Sequence, residues 1–350
     1  MINNLSFPLL VIIFLAAAIL TWIAGVTLTK ATDTLDTRFK IGDALGGLIL
    51  LGIAGSLPEI AVVFSAARAG HIPVIIGNLI GGLSIQTLVI ILFDFAVKAK
   101  KPLSYLAGSL LMSIETIFAI ILTMITILGM LIPPQVTLFH LNPFSILIII
   151  AWIGGLFIIN RERKIQRFNL TSADASPGRK HRERRVAQNH HFYAKKSNGF
   201  VVGIFLITAV MILIAGFFLE RSGTLLAERL NIGMGIFAAT AIAFVTALPE
   251  ISTGLESVFI GDNQLAISDI MGGNAFMLSL FLFADIVAQK PVLSLAGHQD
   301  LILSLLAIMM MTIYAISFLF RPKHRYFRLG FDSILVIIIY LIGLYILSLI

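Results

Sequence analysis

Long apolar runs are the feature that most constrains how this chain can fold. A helix needs about 20 apolar residues to cross the roughly 30 Å hydrocarbon core of a bilayer. We recognise ten such runs, at approximately 7–29, 43–67, 73–97, 107–132, 144–160, 199–219, 232–258, 264–288, 299–320 and 332–350. They are too long for barrel strands, and only helices or closed barrels satisfy the backbone in lipid. The sequence therefore predicts an all-α membrane protein with ten transmembrane helices.

The composition excludes several other classes of protein. The chain is 58% hydrophobic and 12% charged, against about 45–50% and about 25% in soluble domains. It has no cysteine, which excludes disulfides, thiolate metal sites and a Cys nucleophile. No Lys or Arg precedes Lys30, so we interpret the first apolar run as a retained span and not as a secretory signal.

The basic residues predict the orientation in the membrane. The loops after spans 1, 3, 5, 7 and 9 hold 21 of the 25 Lys and Arg residues. By the positive-inside rule these loops are cytoplasmic, and both termini are extracellular in a multi-pass protein of the cell membrane. The basic segment 161–198 is either a simple topology determinant or a surface for anionic lipid head groups. We expect no nucleic-acid binding, because no recognition fold fits in this length.

Two segments of the chain are internal copies. Residues 55–82 and 246–273 align without gaps at a constant offset of 191. Five predicted spans separate them, so the two copies cross the membrane in opposite directions. We expect two inverted five-helix halves, residues 1–160 (repeat 55–86) and 199–350 (repeat 246–277), as in many secondary transporters. The identical pairs include Leu57/Leu248, Pro58/Pro249, Glu59/Glu250, Ile60/Ile251, Gly70/Gly261, Gly81/Gly272 and Gly82/Gly273.

Glu59 and Glu250 are the candidate centre of a binding site. Each lies near the middle of its predicted span, where a lone carboxylate costs at least a few kcal/mol and needs a cavity and a partner. Two carboxylates at one level repel each other, and a bound cation or protons would resolve that repulsion. Oxygen ligands suit hard cations such as Ca2+.

The residues around the glutamates add candidate oxygen ligands. Pro58 and Pro249 each remove a helical N–H and leave the carbonyl four residues earlier unpaired, which predicts broken helices at the repeat motifs. Hydroxyl groups lie three or four residues before each glutamate, on the same helical face. The additional candidates are the carbonyls of Ala54 and Val245 and the hydroxyls of Ser56 and Thr246.

The second helix of each repeat carries a polar face with small residues. Asn78, Gly82 and Gln86 follow an i, i+4, i+8 line, as do Asp269, Gly273 and Met277. Small residues nearby permit close helix approach, at Gly77, Gly81, Ser268 and Gly272. The alternative is that the Pro and Gly pairs serve only packing and kinking.

These motifs resemble the paired alpha repeats of the cation/calcium exchanger superfamily, especially its sodium/calcium exchanger branch. The family pattern is approximately G-T-S-L-P-E, then G-N-x-x-G-S-N-x-x-N/D. This chain has GSLPE at 55–59 and TALPE at 246–250, followed by GNLIGG at 77–82 and SDIMGGN at 268–274. The resemblance implies two inverted five-helix halves that exchange Ca2+ for Na+ or H+, with the ion coordinated by Glu59, Glu250, hydroxyls and carbonyls.

The chain departs from the family pattern at several positions. Gly82 and Gly273 replace the motif Ser, while Gln86 and Met277 replace the downstream Asn or Asp. Asp269 stands where the family usually has Asn and could supply a third carboxylate to the metal site. Among the remaining acidic residues, we expect Glu115 to pair, relay protons or pack, Glu256 to line an access path or approach the interface, and Asp94 and Asp285 to reach water at span ends.

The sequence thus predicts a secondary-active cation antiporter that exchanges Ca2+ for Na+ or H+, with metal cations and the lipid bilayer as its partners. The open alternative is antiport of Na+/H+ or of another monovalent cation, because the oxygen ligands are few. We expect no cofactor and no enzymatic activity. G-x-S-x-G, H-E-x-x-H and P-loop motifs are all absent from the sequence. A cation sensor that binds without transport is the remaining possibility.

Overall fold

The computed structural model describes residues 5–39, 53–165, 193 and 196–348. Residues 43–52 of the predicted second span lie outside the described residues, as does most of the basic segment 161–198. The described ranges are mainly helical. Two short strands, β1 (Arg325–Tyr326) and β2 (Leu329–Gly330), pair as an antiparallel hairpin.

The helices are numbered here in chain order. They are α1 (Phe7–Phe39), α2 (Leu57–Ala69), α3 (Ile72–Ala96), α4 (Leu103–Ala107), α5 (Leu110–Leu131), α6 (Pro143–Ile165), α7 (Asn198–Arg229), α8 (Met234–Thr246), α9 (Leu248–Phe259), α10 (Asn263–Ala288), α11 (His298–Phe320) and α12 (Phe331–Ser348). Helix α8 contains a π-helical turn at Ala238–Ile242, and a 3-10 turn at Val292–Leu295 precedes α11.

Six of these helices are long and apolar enough to cross a membrane, namely α1, α3, α5, α7, α10 and α11. The bent pair α8–α9 is a seventh if it forms one span. Helices α6 and α12 contain shorter apolar stretches, Pro143–Ile159 and Phe331–Leu347. Large apolar side chains such as Ile207 and Ile150 are exposed on the outer surface, as expected of helices that face lipid. The chain is therefore a multi-pass helical membrane protein, while the count of ten spans remains a prediction.

The repeat motifs interrupt their helices, as the prolines predict. Helix α2 begins after a turn at Ser56, and α9 begins after a turn at Ala247. Each of these two helices has its proline in the first turn. At that position the missing N–H breaks no hydrogen bond within the helix that begins there. The α8–α9 pair is bent by 46° at this break.

Each short repeat helix is followed by a left-handed glycine. Gly70 has φ +78° and Gly261 has φ +85°, and the two residues are equivalent in the repeats. Glycine adopts this conformation without the steric cost that a Cβ would bring. Helices α3 and α10 begin directly afterwards, so both repeats share one helix–turn–helix geometry.

Small residues bring α3 and α8 into direct contact. A Cβ on Gly77 would overlap the backbone of Gly235, and a Cβ on Gly81 would overlap Ala239. The predicted role in close helix approach is therefore observed for Gly77 and Gly81. It is wrong for Gly272, because a Cβ at this exposed position would meet no atom within 4 Å. The packing of α3 on α8 places the polar face of α3 beside the break between α8 and α9.

The repeat helices cross between the two sequence halves. Helix α2 packs against α10, and α9 packs against α3, so each short helix contacts the long helix of the other repeat. Helices α1 and α7 pack along each other. Helix α7 also contacts α2, and α1 contacts α9. The α1–α7 pair therefore touches both helices that carry the predicted glutamates.

The expectation that Asp94 and Asp285 reach water is wrong, because both are buried (1% and 0% exposed). Asp94 accepts hydrogen bonds from the N–H of Leu103 at 2.7 Å and from the N–H of Gly330 at 2.6 Å. Its carboxylate thus holds the start of α4 and the start of α12, which lies in the other sequence half.

Asp285 makes the equivalent contacts in the second half. It accepts hydrogen bonds from the N–H of Val292 at 2.7 Å and from the N–H of Asn142 at 2.9 Å. Asn142 immediately precedes α6, which belongs to the first sequence half. Charged acceptors that satisfy otherwise unpaired N–H groups explain why these carboxylates are buried.

Candidate cation-binding site

Glu59 lies in the first turn of α2 and is only 1% exposed. The side chain of Thr246, from the end of α8, lies beside this carboxylate, and its hydroxyl donates a hydrogen bond to the carbonyl of Ala243 at 3.2 Å. Within the described residues, Oε2 of Glu59 has no hydrogen-bond partner. A buried carboxylate oxygen with a free lone pair is an available ligand for a cation.

Glu250 lies in the first turn of α9 and is partly exposed. The side-chain amide of Gln86, on α3, donates a hydrogen bond to Oε2 of Glu250. Gln86 is 1% exposed, and its own carbonyl oxygen lacks a partner in the described part of the chain. The predicted ligands Gln86 and Glu250 thus meet across the two sequence halves.

Glu250 also interacts electrostatically with Glu59 and Asp269. The carboxylate of Glu250, on α9, is therefore subject to repulsion from the carboxylates of Glu59, on α2, and of Asp269, on α10. Their mutual repulsion favours the binding of a cation or protons at this place. No set of three or more His, Asp or Glu side chains in the described ranges converges closely enough to hold a metal ion by itself. Amide, hydroxyl and carbonyl oxygens would therefore have to complete a coordination shell.

Gly273, on α10, lies close to the side chains of Glu250 and Gln86. A Cβ at this position would lie 3.1 Å from Oε1 of Glu250 and 3.4 Å from Oε1 of Gln86. A larger residue would therefore crowd both oxygens. This contact gives a physical reason for glycine at a position where the family motif has Ser.

Gly82 and Met277 occupy one shared space. The terminal methyl group of Met277 lies where a Cβ on Gly82 would stand. The two departures from the family motif are therefore a matched pair, in which the large residue of one repeat fills the gap left by the small residue of the other. The thioether offers at most a weak ligand to a hard cation at this point.

The remaining predicted site residues lie around the same breaks. Ser56 (1% exposed) and Ala54 (6%) precede α2, and Val245 (6%) precedes Thr246. Asn78 is fully buried on α3, and neither of its amide atoms has a hydrogen-bond partner among the described residues. No contact of Asn78 with either glutamate is observed, so its role as a ligand remains a prediction.

Glu115 extends the acidic group toward α5. It is 5% exposed, and its Oε2 accepts a hydrogen bond from Oγ of Ser268 at 2.8 Å. Ser268 is adjacent to Asp269 in the sequence. Glu115 is therefore paired, which is one of the roles expected from the sequence.

Access to the two repeats is unequal. Asp269 and Gly272 are exposed, while the equivalent residues Asn78 and Gly81 are buried. Because carboxylates are costly in lipid, we expect water to reach the exposed strip beside Glu250. We call it the Asp269 side, and we call the buried direction, toward the turn at His71, the His71 side.

The chain is similar in sequence to one protein family and in fold to several solved structures. The model of the sodium/calcium exchanger protein family matches residues 9–161 and 200–349. Among curated proteins, no sequence matches this chain. Among solved structures, the chain is similar to the H+/Ca2+ exchanger CAX, with 14% identity, 97% of this chain and 84% of that chain covered, and a TM-score of 0.69.

Two further structures share the fold. Native YfkE is 14% identical, with 96% of this chain and 92% of that chain covered and a TM-score of 0.65. The sodium-calcium exchanger NCX_Mj is 16% identical, with 97% of this chain and 99% of that chain covered and a TM-score of 0.57. At such low identity, these similarities establish a common fold over nearly the whole chain.

Proposed function

Because this chain belongs to the sodium/calcium exchanger protein family, we propose that it is a secondary-active antiporter that exchanges Ca2+ for Na+ or H+. The observation that carries this proposal is the electrostatic repulsion that Glu59 exerts on Glu250, with each residue in the first turn after a helix break. Two acidic groups that repel each other favour the binding of a cation or of protons, which supports a role of this site in cation transport.

Exchange follows from competition for the same oxygens. A bound Ca2+ neutralises the paired carboxylates, and Na+ or protons can take its place when Ca2+ leaves. When no cation is bound, the two carboxylates still repel each other, and we expect this repulsion to disfavour the change of access from one side to the other. Because only the loaded site changes sides, one ion can leave only when the other ion has bound, and the two ion fluxes are coupled. The ligands proposed for the cation are Glu59, Glu250, Asp269, Ser56, Thr246, Asn78, Gln86 and the carbonyls of Ala54 and Val245.

We propose that the chain forms ten spans in two inverted halves, residues 1–160 and 199–350. Helix breaks at equivalent positions, left-handed glycines at equivalent positions and the crossed packing of the repeat helices support this arrangement. The distribution of Lys and Arg supports cytoplasmic placement of segment 161–198 and extracellular termini. Access to the glutamates would then alternate between the Asp269 side, which is cytoplasmic, and the His71 side, which is extracellular.

A second candidate is Na+/H+ exchange, or exchange of another monovalent cation. The Gly82–Met277 contact favours it, because this contact removes two side-chain oxygens that the family motif would supply. A site with fewer oxygens suits a single small cation or protons better than Ca2+, which takes six to eight oxygen ligands.

Uptake of radioactive calcium into proteoliposomes separates these candidates. An outward Na+ gradient and an outward H+ gradient are imposed in separate experiments, and empty liposomes are the blank. Calcium uptake driven by either gradient supports the first proposal and identifies the counter-ion. Proton movement driven by a Na+ gradient, without any calcium uptake, would support the second candidate instead.

A further inference from the structure

Two polar contacts connect the α1–α7 pair to the helices that carry the glutamates. The first contact centres on Glu220 of α7, which is fully buried. Its Oε2 accepts a hydrogen bond from Oγ of Ser65 at 2.8 Å, and its Oε1 lies 2.6 Å from Nδ1 of His71. Ser65 belongs to α2, the helix of Glu59, and His71 precedes α3.

The second contact joins α1 to α9, the helix of Glu250. Nζ of Lys30 lies 3.8 Å from Oε2 of Glu256, and the two side chains are 21% and 44% exposed. This ion pair is long and solvated, whereas the Glu220 contact is short and buried. Solvated pairs contribute little free energy, whereas breaking a buried charged hydrogen bond is costly.

The two contacts occupy equivalent places in the repeats. Ser65 lies six residues after Glu59, and Glu256 lies six residues after Glu250. Ser65 and Glu256 are therefore equivalent positions of the two repeats, 191 residues apart. Helix α7 contacts the first of these positions, and α1 contacts the second. The α1–α7 pair is thus attached to both repeats at matching points.

The side with the short, buried contact is the side on which the repeat residues are buried, and the side with the long, solvated contact is the side on which they are exposed. On the His71 side, where Glu220 is bonded, Asn78 and Gly81 are buried. On the Asp269 side, where the Lys30–Glu256 pair is long, Asp269 and Gly272 are exposed. Closure of a side therefore coincides with a tight contact between the α1–α7 pair and the repeat helix on that side.

We propose that Glu220 and Lys30 are positioning residues that determine which side of the glutamate site is open. Glu220 closes the His71 side through Ser65 and His71, and Lys30 closes the Asp269 side through Glu256 when the α1–α7 pair shifts. This inference rests on the proposed antiport. It names residues outside the set of ligands that we propose for the cation.

The surroundings of Glu220 allow its contact to open without leaving a buried charge unpaired. Within α7, Oγ1 of Thr224 lies 3.3 Å from Oε1 of Glu220, and Nε of Arg221 lies 3.8 Å from Oε2. Both groups travel with Glu220 when α7 separates from α2. The carboxylate thus retains partners in either arrangement, as a reversible contact requires.

Cysteine accessibility tests this proposal directly, because the chain has no cysteine of its own. Gly272→Cys reports on the Asp269 side, where a side chain at this position meets no atom within 4 Å. Asn78→Cys reports on the His71 side, where it is buried in the present arrangement. A membrane-impermeant maleimide is applied from each face of oriented vesicles, and the labelling rate is measured.

Ser65→Ala removes one donor to Glu220 with little change in volume. We expect it to speed labelling of Asn78→Cys by roughly fivefold, the factor that one net hydrogen bond contributes to an equilibrium. Lys30→Met should slow labelling of Asn78→Cys, because it weakens closure of the opposite side. General destabilisation would not give these opposite signs. Glu228→Gln, an exposed change on the same helix as Glu220, should leave the rate unchanged.

The proposal is overturned if Ser65→Ala and Glu220→Gln both leave the labelling rate of Asn78→Cys unchanged while the proteins remain monodisperse in detergent. It is also overturned if Ser65→Ala and Lys30→Met shift the rate in the same direction. Labelling requires no transport. Asn78 is itself a proposed ligand, so calcium uptake is measured in the chain that keeps Asn78. Absence of uptake in that chain, with preserved labelling shifts in the chain that carries Asn78→Cys, would contradict the proposed function and leave this inference standing.

Discussion

The side-chain amide of Gln86, on α3, donates a hydrogen bond to the carboxylate of Glu250, on α9, and so joins the two repeats at the candidate site. The same position of the second repeat is Met277, which has no hydrogen-bond donor. The two glutamates are therefore held differently. Glu59 is buried beside Thr246, and Glu250 is partly exposed beside Gln86.

Gln86→Leu should weaken cation binding. The substitution removes the amide from Glu250 and removes a buried carbonyl oxygen that has no other partner in the described part of the chain. We expect the apparent KM for calcium uptake to rise by about tenfold, the effect of one lost charged interaction. Gln264→Leu is the matched control, since Gln264 contacts the carbonyl of Ala107, outside the site. Equal uptake curves for the two variants would exclude this role of Gln86.

Gly273→Ala should impair transport through crowding. Its Cβ would lie 3.1 Å from Oε1 of Glu250 and would press on the carboxylate that we propose as a cation ligand. Gly272→Ala, one residue earlier, adds the same methyl group into open space. We expect the first variant to lose most calcium uptake and the second to retain it. Similar uptake by both variants would contradict the placement of Gly273 against Glu250.

Gly82→Ser should destabilise the protein, because its side chain would overlap the methyl group of Met277. The methyl group is the flexible end of a fully buried side chain and can move aside in part, so we expect a cost of about 1 kcal/mol, the low end for overpacking. Met277→Ala in the same chain should remove most of that cost, so the two substitutions should be coupled in a double-mutant cycle. Thermal unfolding in detergent measures the cycle. Additive effects would show that the two side chains do not share one space.

Asp285→Ala should lower the stability of the protein without being part of the cation site. The substitution leaves the N–H groups of Asn142 and Val292 without their acceptor, at a cost of about 3 kcal/mol. Asp94→Ala should behave alike through Leu103 and Gly330. The measurement is the unfolding temperature in detergent relative to Glu228→Gln. An unchanged unfolding temperature would show that these carboxylates do not hold the helix starts together.

Much of the scaffold was predictable because its determinants are local in the sequence. Pro58 and Pro249 break their helices through a missing N–H, and Gly70 and Gly261 end the short helices in the left-handed conformation. The apolar helices were predictable from hydropathy because a run of apolar residues long enough to cross the bilayer is itself a local feature of the sequence. The proposal that Glu59 and Glu250 share one site also comes from the internal repeat, in which the two residues are equivalent.

Contacts between distant residues were not predictable in the same way. The burial of Asp94 and Asp285 depends on N–H groups at helix starts, which hydropathy does not detect. The sequence did contain a signal, since these two residues also differ by 191 positions. The contact of Glu220 with Ser65 and His71 depends on how α7 packs on α2, and no motif indicates it.

Calcium uptake by Glu59→Gln and Glu250→Gln in proteoliposomes tests the central claim most directly. Both variants keep the side-chain size and remove the charge, and Glu228→Gln provides the same chemical change outside the site. Our account predicts that either site variant abolishes gradient-driven uptake in a folded, monodisperse protein, while the control transports normally. Unimpaired uptake by either site variant would contradict the account.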